Sequence, residues 1–312
     1  MLQSPWLRAA RLQLHTIGFT PLLLGNVAAW YEQGVFSWPR LIVSMLIGLF
    51  LHIITAFVND LADVGTDGAN LFRTPFSGGS GVVVEGQLTR ADLAAGAAGL
   101  VFLSLALTCV LIFMLHVHRA IALFVGWGLL SAVEYSLPPV KLAYRGGGEF
   151  LVLVTYSLAL VWAGYFIQAG FAYSPLIWVF SAPIGLAVFT LITVTQFPDR
   201  EADAKAGKRS LVILFGEKTT LRICALAVML GIAGIVTPVL TGFVPVWAGV
   251  LSLLASPLAY RLVKTMLRPE LEGMPLYMNL SQGALLLTLW FGLAPAAGLI
   301  LQRLLGMKGL CL

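Results

Sequence analysis

Long apolar segments separated by shorter polar ones run along the whole chain. Nine of them approach the length of about 20 residues that a helix needs to cross a bilayer. They lie at residues 12–31, 41–62, 92–115, 119–137, 150–170, 176–198, 220–240, 243–264 and 281–303. The pattern predicts an all-α, polytopic membrane protein, with nine transmembrane helices around a central cavity and a single domain over residues 1–312.

The composition supports a membrane protein. Hydrophobic residues make up 59% of the chain and charged residues only 11%, whereas soluble globular domains carry about 25% charged residues. The net charge of +5 is modest. Its basic residues can be assigned to one face of the membrane, so the charge does not indicate a nucleic-acid partner.

The charges of the loops predict an orientation. If the N-terminus is cytoplasmic and the helices alternate, all but four of the 19 Lys and Arg residues fall on the inner side. Basic residues collect on the cytoplasmic side of membrane proteins. Glu32 is the one carboxylate assigned to the outer side. We therefore expect an integral protein of a bacterial inner membrane whose active site faces the cytoplasm.

An acidic stretch ends the second apolar segment. If that helix continues, Asn59, Asp60, Asp63 and Asp67 share one face. Ionisable groups at membrane depth are costly and usually functional, and three carboxylates repel one another unless a cation lies among them. Asp and Asn oxygens suit Mg²⁺, which usually keeps waters and substrate phosphates as further ligands. The stretch therefore predicts a site for a metal-bound diphosphate.

A second acidic pair, Asp199 and Asp203, follows the sixth apolar segment at a spacing that shares a helix face. Two such faces brought together would hold two or more Mg²⁺ ions that bridge a diphosphate, as Lewis acids and as a template. The alternative is a solvated loop whose acids and bases neutralise one another. Residues 197–203 resemble 57–63 in layout, which indicates two halves, helices 1–4 and 5–8, plus a ninth helix.

Basic residues near the acids are candidates for gripping phosphate oxygens, although the bias of positive charge to the inner side alone places some there. These candidates are Arg73, Lys141, Arg145, Arg200, Lys205, Lys208 and Arg209. Lys141 and Arg145 lie between two prolines and the glycines 146–148, where a helix end turns into an extended segment. The glycine-rich residues 78–81 either form a flexible loop, which we favour, or cradle phosphate with backbone amides.

Polar side chains inside the apolar segments are candidates for the cavity wall and for contacts with a second substrate. They are Asn26, His52, Thr55, Tyr156, Thr195 and Gln196. His52 precedes Asn59 by two helical turns on the same face. It either lines the cavity above the metal or bonds to a neighbouring helix.

These motifs resemble those of the UbiA-type intramembrane prenyltransferases. The run Asn59-Asp60-x-x-Asp63-x-x-x-Asp67 resembles the first aspartate-rich motif of that family, and Asp199-x-x-x-Asp203-x-x-x-Gly207-Lys208-Arg209-Ser210 resembles the second. The segment from Tyr135 to Lys141 looks like the tyrosine–lysine element between them. Residues 78–86 and 137–146 look most like the 1,4-dihydroxy-2-naphthoate polyprenyltransferases of menaquinone synthesis.

The resemblance implies an Mg²⁺-dependent enzyme that transfers a polyprenyl group from polyprenyl diphosphate to an aromatic acceptor. It implies that the metal ligands are Asn59, Asp60, Asp63, Asp67, Asp199 and Asp203. The implied diphosphate-binding residues are Arg73, Tyr135, Lys141, Arg145, Arg200, Lys205, Lys208 and Arg209. Ionisation would give an allylic cation that the ring attacks. With the naphthoate acceptor, the ring carboxylate leaves as CO₂ and the product is a demethylmenaquinone.

Other functions remain as alternatives. Within the same family, 4-hydroxybenzoate and homogentisate are alternative acceptors. A phosphatidyltransferase lacks support because its Asp-x-x-Asp-Gly-x-x-Ala-Arg pattern is absent: Asp67 and Gly68 are followed by Ala69, Asn70 and Leu71. A cation-coupled transporter would bind its ions near the membrane midplane, whereas both acidic stretches lie at helix ends.

Overall fold

The computed structural model describes residues 4–69 and 74–306. All regular secondary structure in these ranges is helical, which confirms the all-α prediction for them. The α-helices are α1 Pro5–Ala10, α2 Thr16–Gln33, α3 Trp38–Ala62, α4 Val64–Ala69, α5 Arg90–Cys109, α6 Ile121–Ser136, α7 Gly148–Val154, α8 Leu160–Ala169, α9 Pro175–Thr195, α10 Arg200–Lys205, α11 Leu211–Leu240, α12 Val246–Leu253, α13 Ser256–Leu267 and α14 Gly273–Leu304. A π-helical turn extends α5, and another joins α7 to α8.

Long apolar helices account for most of the chain. Within the described residues, seven are long and apolar enough to cross a membrane: Trp38–Ala62, Arg90–Met114, Gly148–Ala169, Pro175–Thr195, Leu211–Leu240, Val246–Leu267 and Gly273–Leu304. The other two predicted segments also form helices. However, α6 is apolar but has only 16 residues, and α2 carries more polar residues and is not among the seven. The count of nine spans therefore stays a prediction.

Helix α9 lies at the centre of the bundle. In its most apolar stretch of 18 residues, 67% of the residues are buried. This is the largest share among the seven long apolar helices of the described ranges. It contacts α2, α7, α11 and α14, and its residues belong to the largest apolar core. Because α9 ends at Thr195, this central position places the residues that follow it in the middle of one end of the bundle.

Helices α2 and α8 approach closely through two glycines. A Cβ atom on Gly25 would lie 2.0 Å from the carbonyl oxygen of Val161, and one on Gly164 would lie 2.2 Å from that of Leu22. Small residues let helix backbones come together in lipid, where packing replaces the hydrophobic effect as the driving force. This contact fixes α2 against α8 along the middle of both helices.

Helix α11 begins earlier than the apolar pattern predicts. The sequence indicates a start near residue 220, whereas the helix begins at Leu211 and bends at Gly216, where φ is +73°. A positive φ favours glycine because it has no Cβ to clash. The backbone amide of Leu211 donates to Glu149 Oε1 at 2.9 Å, so the α11 start is tied to that of α7.

Enlarging the α2–α8 contact tests its role in stability. Replacing Gly164 with Ala places a methyl group where the Leu22 carbonyl lies, so we expect a loss of about 1–3 kcal/mol, as for overpacking elsewhere. The unfolding temperature of the detergent-purified protein measures this. A Cβ atom on Gly99, in α5, would meet no atom of another helix within 4 Å. Gly99→Ala should therefore leave the unfolding temperature unchanged or slightly higher, and equal effects at both sites would refute the packing role.

Candidate active site

The structure brings the two acidic stretches together at one end of the bundle. Lys208 Nζ lies 2.9 Å from Asp63 Oδ2 and 2.9 Å from Asp203 Oδ1. The backbone amide of Gly78 donates to Asp199 Oδ2 at 2.8 Å. One lysine and one glycine-rich loop thus join the end of α3 to the segment after α9.

The first acidic stretch does not form one continuous helix. Helix α3 ends at Ala62, as the apolar segment predicts, and Asp63 has non-helical angles before α4 begins, so the condition that one helix continues through Asp67 is not met. The turns nevertheless persist, because the Asp63 amide donates to the Asn59 carbonyl and the Asp67 amide to the Asp63 carbonyl. Asn59, Asp63 and Asp67 therefore still face one cavity.

Asp60 has a different environment from its neighbours. It is buried and does not line the cavity. Its carboxylate forms an ion pair with Arg11 and accepts hydrogen bonds from the amide and hydroxyl of Ser80. Asp60 therefore ties the segment before α2 to the glycine-rich loop, and a ligand role would require it to leave these partners.

The glycine-rich loop fits closely over the acids. Gly79 has φ of +67°, and a Cβ atom on it would lie 1.7 Å from Asp67 Oδ2. Only glycine allows this backbone to approach the carboxylate so closely. The loop thus packs directly on the acidic residues, and its Gly78 amide contacts the second acidic stretch.

The site holds an excess of buried negative charge. Burial, together with the neighbouring Asp63 and Asp60, raises the pKa of Asp67 to about 7. Burial also raises the pKa of Asp203. Burial lowers the pKa of Lys208, but Asp63 and Asp203 together raise it by more, so the net shift is upward and the lysine is held as a cation. A further cation would relieve the repulsion among these carboxylates.

The donor atoms suit a hard divalent cation. In the described part of the chain, no three acidic, His or Cys side chains stand close enough together to form a metal centre as they are. Their oxygens face Lys208 and a backbone amide instead. Carboxylate and amide oxygens that converge on a buried cavity are the ligands Mg²⁺ uses. The residues therefore fit Mg²⁺ if it takes over contacts now made by Lys208.

The cavity between the acidic stretches has a volume of about 230 Å³. One end is acidic, and the other is lined by apolar side chains of α2, α3, α7 and α9 together with the rings of His52 and Tyr156. Besides the acids, Asn59 and Lys208, six predicted residues line it: His52, Thr55, Tyr135, Tyr156, Thr195 and Gln196. The cavity thus places a charged region next to an apolar one.

His52 and Tyr156 form the deep end of this cavity. The Tyr156 hydroxyl lies 3.3 Å from His52 Nδ1, and the His15 ring packs edge-on against His52 with centroids 4.5 Å apart. His52 therefore lines the cavity and also bonds to a neighbouring helix, so both of the alternatives considered for it apply.

Several sequence candidates lie away from the cavity wall. Asn26 donates to the Leu22 carbonyl and accepts from Gln168 at 2.8 Å, so it belongs to helix packing and not to an acceptor site. Arg73 lies outside the described residues. Lys205, the last residue of α10, and Arg209, which follows that helix, are exposed.

Three other basic candidates have partners that hold them outside the cavity lining. Lys141 Nζ lies over the Tyr144 ring, 4.0 Å from its centroid. Arg145 donates to the Pro139 carbonyl at 3.0 Å. Arg200 donates to the Tyr277 hydroxyl at 2.7 Å. Lys208 is the one basic phosphate candidate among the described residues that lines the cavity.

Arg11 is a cavity residue that sequence reasoning missed. It lines the cavity beside Leu14 and Ile17 and pairs with Asp60. In the sequence its charge is explained by the bias of basic residues to the inner side. Its position directly before the first apolar segment could have indicated a place at a helix end. Only the fold shows that this segment begins at the acidic end of the cavity.

The chain is similar to known proteins over most of its length. The model of the UbiA prenyltransferase family matches residues 19–283. The 1,4-dihydroxy-2-naphthoate octaprenyltransferase of Escherichia coli is 26% identical over 92% of this chain and 93% of its own length. The chloroplastic chlorophyll synthase of rice is 32% identical over 72% of this chain and 60% of its own.

A solved structure shares the fold. The structure of a UbiA homolog from Archaeoglobus fulgidus bound to GPP and Mg²⁺ matches with a TM-score of 0.64. The match covers 94% of this chain and all of the homolog, at 17% sequence identity. The helical arrangement is therefore common to both chains.

Replacing Lys208 tests the charge balance of the site. Lys208→Gln leaves Asp63 and Asp203 buried without their shared cation, and breaking a buried pair typically costs about 3–5 kcal/mol. We expect a lower unfolding temperature in EDTA and a larger rise on adding Mg²⁺ than in the wild type. Lys205→Gln, exposed on the same segment, should behave as the wild type. Equal Mg²⁺ shifts in Lys208→Gln and the wild type would contradict this account.

Proposed function

Because this chain belongs to the UbiA prenyltransferase family, we propose that it transfers a polyprenyl group from polyprenyl diphosphate to 1,4-dihydroxy-2-naphthoate, with loss of CO₂. The observation that carries the proposal is the single cavity with both acidic stretches at one end and aromatic side chains at the other. The match to a naphthoate prenyltransferase over nearly its whole length supports this choice of acceptor.

The acidic end of the cavity is the proposed diphosphate site. Asn59, Asp63, Asp67, Asp199 and Asp203 would hold Mg²⁺, which supplies charge neutralisation to the leaving diphosphate. Lys208 contacts Asp63 and Asp203, and once Mg²⁺ takes over those contacts its ammonium group is left beside the diphosphate as a further cation. Arg11, fixed by Asp60, adds a second one at the cavity wall. The proposed role of Asp60 is therefore indirect: it holds the Arg11 side chain in position at the cavity wall.

The middle of the cavity is the proposed acceptor site. Thr55, Thr195 and Gln196 offer polar atoms next to apolar walls. A few placed polar groups in an apolar pocket are enough to orient a small ring. The same walls exclude water, which strengthens the electrostatics and protects a reactive prenyl group from hydrolysis.

A narrow apolar slot beyond His52 and Tyr156 is the proposed place for the far end of the prenyl chain. Its volume is about 40 Å³. Two spans continue the same face from cavity to slot by one helical turn each: α3 from His52 back to Gly48, and the α7–α8 span from Tyr156 to Leu160. On α2, Gly18 lies against His52, with 3.3 Å from a Cβ atom on that glycine to Nδ1, and Leu22 one turn later lines the slot. The His52–Tyr156 pair stands where the two spaces meet.

The path of the chain supports nine membrane crossings. Tyr144, after α6, donates to Asp63, so α6 ends at the acidic end of the bundle. Helix α5 starts near that same end, so α6 must return the chain across the membrane. Its 16 residues span about 24 Å at 1.5 Å per residue. Counting α2 in the same way supports nine crossings, arranged as two four-helix halves plus a ninth helix. The positive charges favour a cytoplasmic N-terminus.

Other acceptors are the second candidate. The rice chlorophyll synthase is the more identical of the two relatives, although over a smaller part of each chain. The acceptor of a chlorophyll synthase therefore belongs in the same assay as 4-hydroxybenzoate and homogentisate. We expect Thr55, Thr195 and Gln196, the polar residues in the middle of the cavity, to determine which of these acceptors binds.

A product assay tests the proposed reaction. Purified protein with Mg²⁺ and radiolabelled prenyl diphosphate is given each of these acceptors and 1,4-dihydroxy-2-naphthoate in parallel. We expect prenylated product with the naphthoate, release of CO₂, and no product in EDTA. Product with another acceptor alone would replace the naphthoate assignment, and no product with any acceptor would overturn the transferase proposal.

Matched variants locate the reaction in this cavity. Asp63→Asn and Asp199→Asn should each lower turnover by about 10²-fold or more, the usual scale for losing one charge-stabilising group. Glu201→Gln removes an exposed carboxylate from the same acidic segment as Asp199 and should retain turnover. Full activity in either Asp variant would exclude these residues from the site.

Filling the slot tests the place of the prenyl tail. Ala163 lines the slot and is buried, so Ala163→Leu reduces the space beyond His52 and Tyr156. We expect kcat/KM to fall about tenfold or more for long prenyl diphosphates relative to geranyl diphosphate, since a difference of one methylene in an apolar pocket already changes kcat/KM by about 10–200-fold. Ala122→Leu, exposed on α6, is the control. An equal loss for short and long donors would refute the slot.

A further inference from the structure

A second groove lies between α13 and α14, apart from the acidic cavity. Its volume is about 490 Å³. The two helices touch where Leu262 packs against Gly283, since a Cβ atom on that glycine would lie 2.5 Å from Leu262 Cδ2. The groove opens beside this contact, on the side where α13 ends and α14 begins. That side also holds the acidic site, because Tyr277 near the α14 start bonds to Arg200.

The walls of the groove carry an excess of positive charge. Arg261, Lys264 and Arg268 are spaced to share a face of α13 and its end. Across the groove, α14 presents two amides, Asn279 and Gln282. Lys264 lies 3.8 Å from Glu270, and among the described residues no carboxylate pairs with either arginine. The cationic wall thus faces neutral hydrogen-bonding groups.

These polar groups extend deeper than a helix end requires. Arg261 lies seven residues before Arg268, about 10 Å along the helix at 1.5 Å per residue. Gln282 lies about 13 Å beyond the start of α14 by the same measure. The headgroup layer of a bilayer is only about 5–8 Å thick on each side. With the end of α13 and the start of α14 placed at the membrane surface, the backbone at Arg261 and Gln282 reaches the level where acyl chains begin, and charge at that depth is costly unless a partner accompanies it.

The deeper part of the groove is apolar. Leu258 and Leu286 line it, and Leu286 is 55% exposed on the outside of the bundle. A charged mouth above an apolar wall matches a molecule with an anionic head and a hydrocarbon tail. An anion without a tail would leave these leucines uncovered, and a neutral lipid would leave the arginines without a counter-charge.

We propose that this groove binds an anionic phospholipid, with its phosphate at Arg261, Lys264 and Arg268 and an acyl chain along Leu258 and Leu286. Basic pockets between helices at the membrane surface are suited to such headgroups. The general bias of positive charge to the inner side of the membrane is enough to explain basic loops. It does not explain cations and amides that line one groove on both walls and reach below the helix end. The inference is independent of the reaction catalysed in the acidic cavity.

Lipid binding by a groove variant tests the proposal. The protein in neutral detergent is titrated with phosphatidylglycerol or phosphatidylcholine, and bound lipid is counted by native mass spectrometry. The variant Arg261→Gln/Lys264→Gln/Arg268→Gln should bind phosphatidylglycerol at least about tenfold more weakly than the wild type, given the usual contribution of each basic residue. Glu270→Gln should bind it more tightly. Phosphatidylcholine should bind weakly and equally to all.

Two controls make the result decisive. Arg90→Gln/Lys218→Gln/Arg222→Gln removes three exposed cations outside the groove, with the same change in net charge, and should bind phosphatidylglycerol as the wild type does. Glycerol phosphate, the headgroup without acyl chains, should not compete. Equal losses in the two triple variants would overturn the groove as the site, and full competition by glycerol phosphate would overturn the assignment to a lipid. Unfolding temperatures confirm that each variant is folded.

Discussion

The contact of Lys208 with Asp63 and Asp203 is the interaction on which the functional end of this protein depends. Two carboxylates from distant parts of the chain lie 2.9 Å from one ammonium group in a region largely removed from water. Without a cation between them, burial and mutual repulsion would drive the two acidic stretches apart. With it, the ends of α3 and α9 are held across a single cavity.

The rest of the fold makes this contact geometrically available. Helix α9 is central and well buried, so the segment after it emerges in the middle of the bundle end. Gly79 lets the loop backbone lie directly against Asp67, and the Gly78 amide reaches Asp199. The α2–α8 glycine contact keeps α2 beside the cavity, and Arg11, shortly before α2, reaches the cavity wall. Packing of small residues in the apolar bundle thus sets the positions of the charged groups.

Charge and apolarity are separated twice on the same side of the molecule. In the central cavity, anionic oxygens stand next to aromatic walls, which suits a substrate with a diphosphate head and a hydrocarbon tail. In the outer groove, cations stand next to leucines, which suits a lipid of opposite charge. The sign of the protein charge accounts for the difference: the central site needs a bound cation to receive a phosphate, whereas the groove can receive one directly.

The sequence alone determined the helical class, the approximate positions of the apolar helices other than the start of α11, and the presence of two acidic stretches. Apolar length and the spacing of acids express local physics, namely the thickness of a bilayer and the pitch of a helix. Only the tertiary structure decided which groups face the cavity. Asp60 and Asp63 are three residues apart, yet only Asp63 lines the cavity. Asp60 lies outside the lining and pairs with Arg11. The difference comes from partners that only the folded chain supplies: Arg11 and Ser80 for Asp60, and Lys208 for Asp63. Arg145 and Lys208 likewise look alike in sequence, but their partners come from the folded chain, and long side chains point where those partners lie.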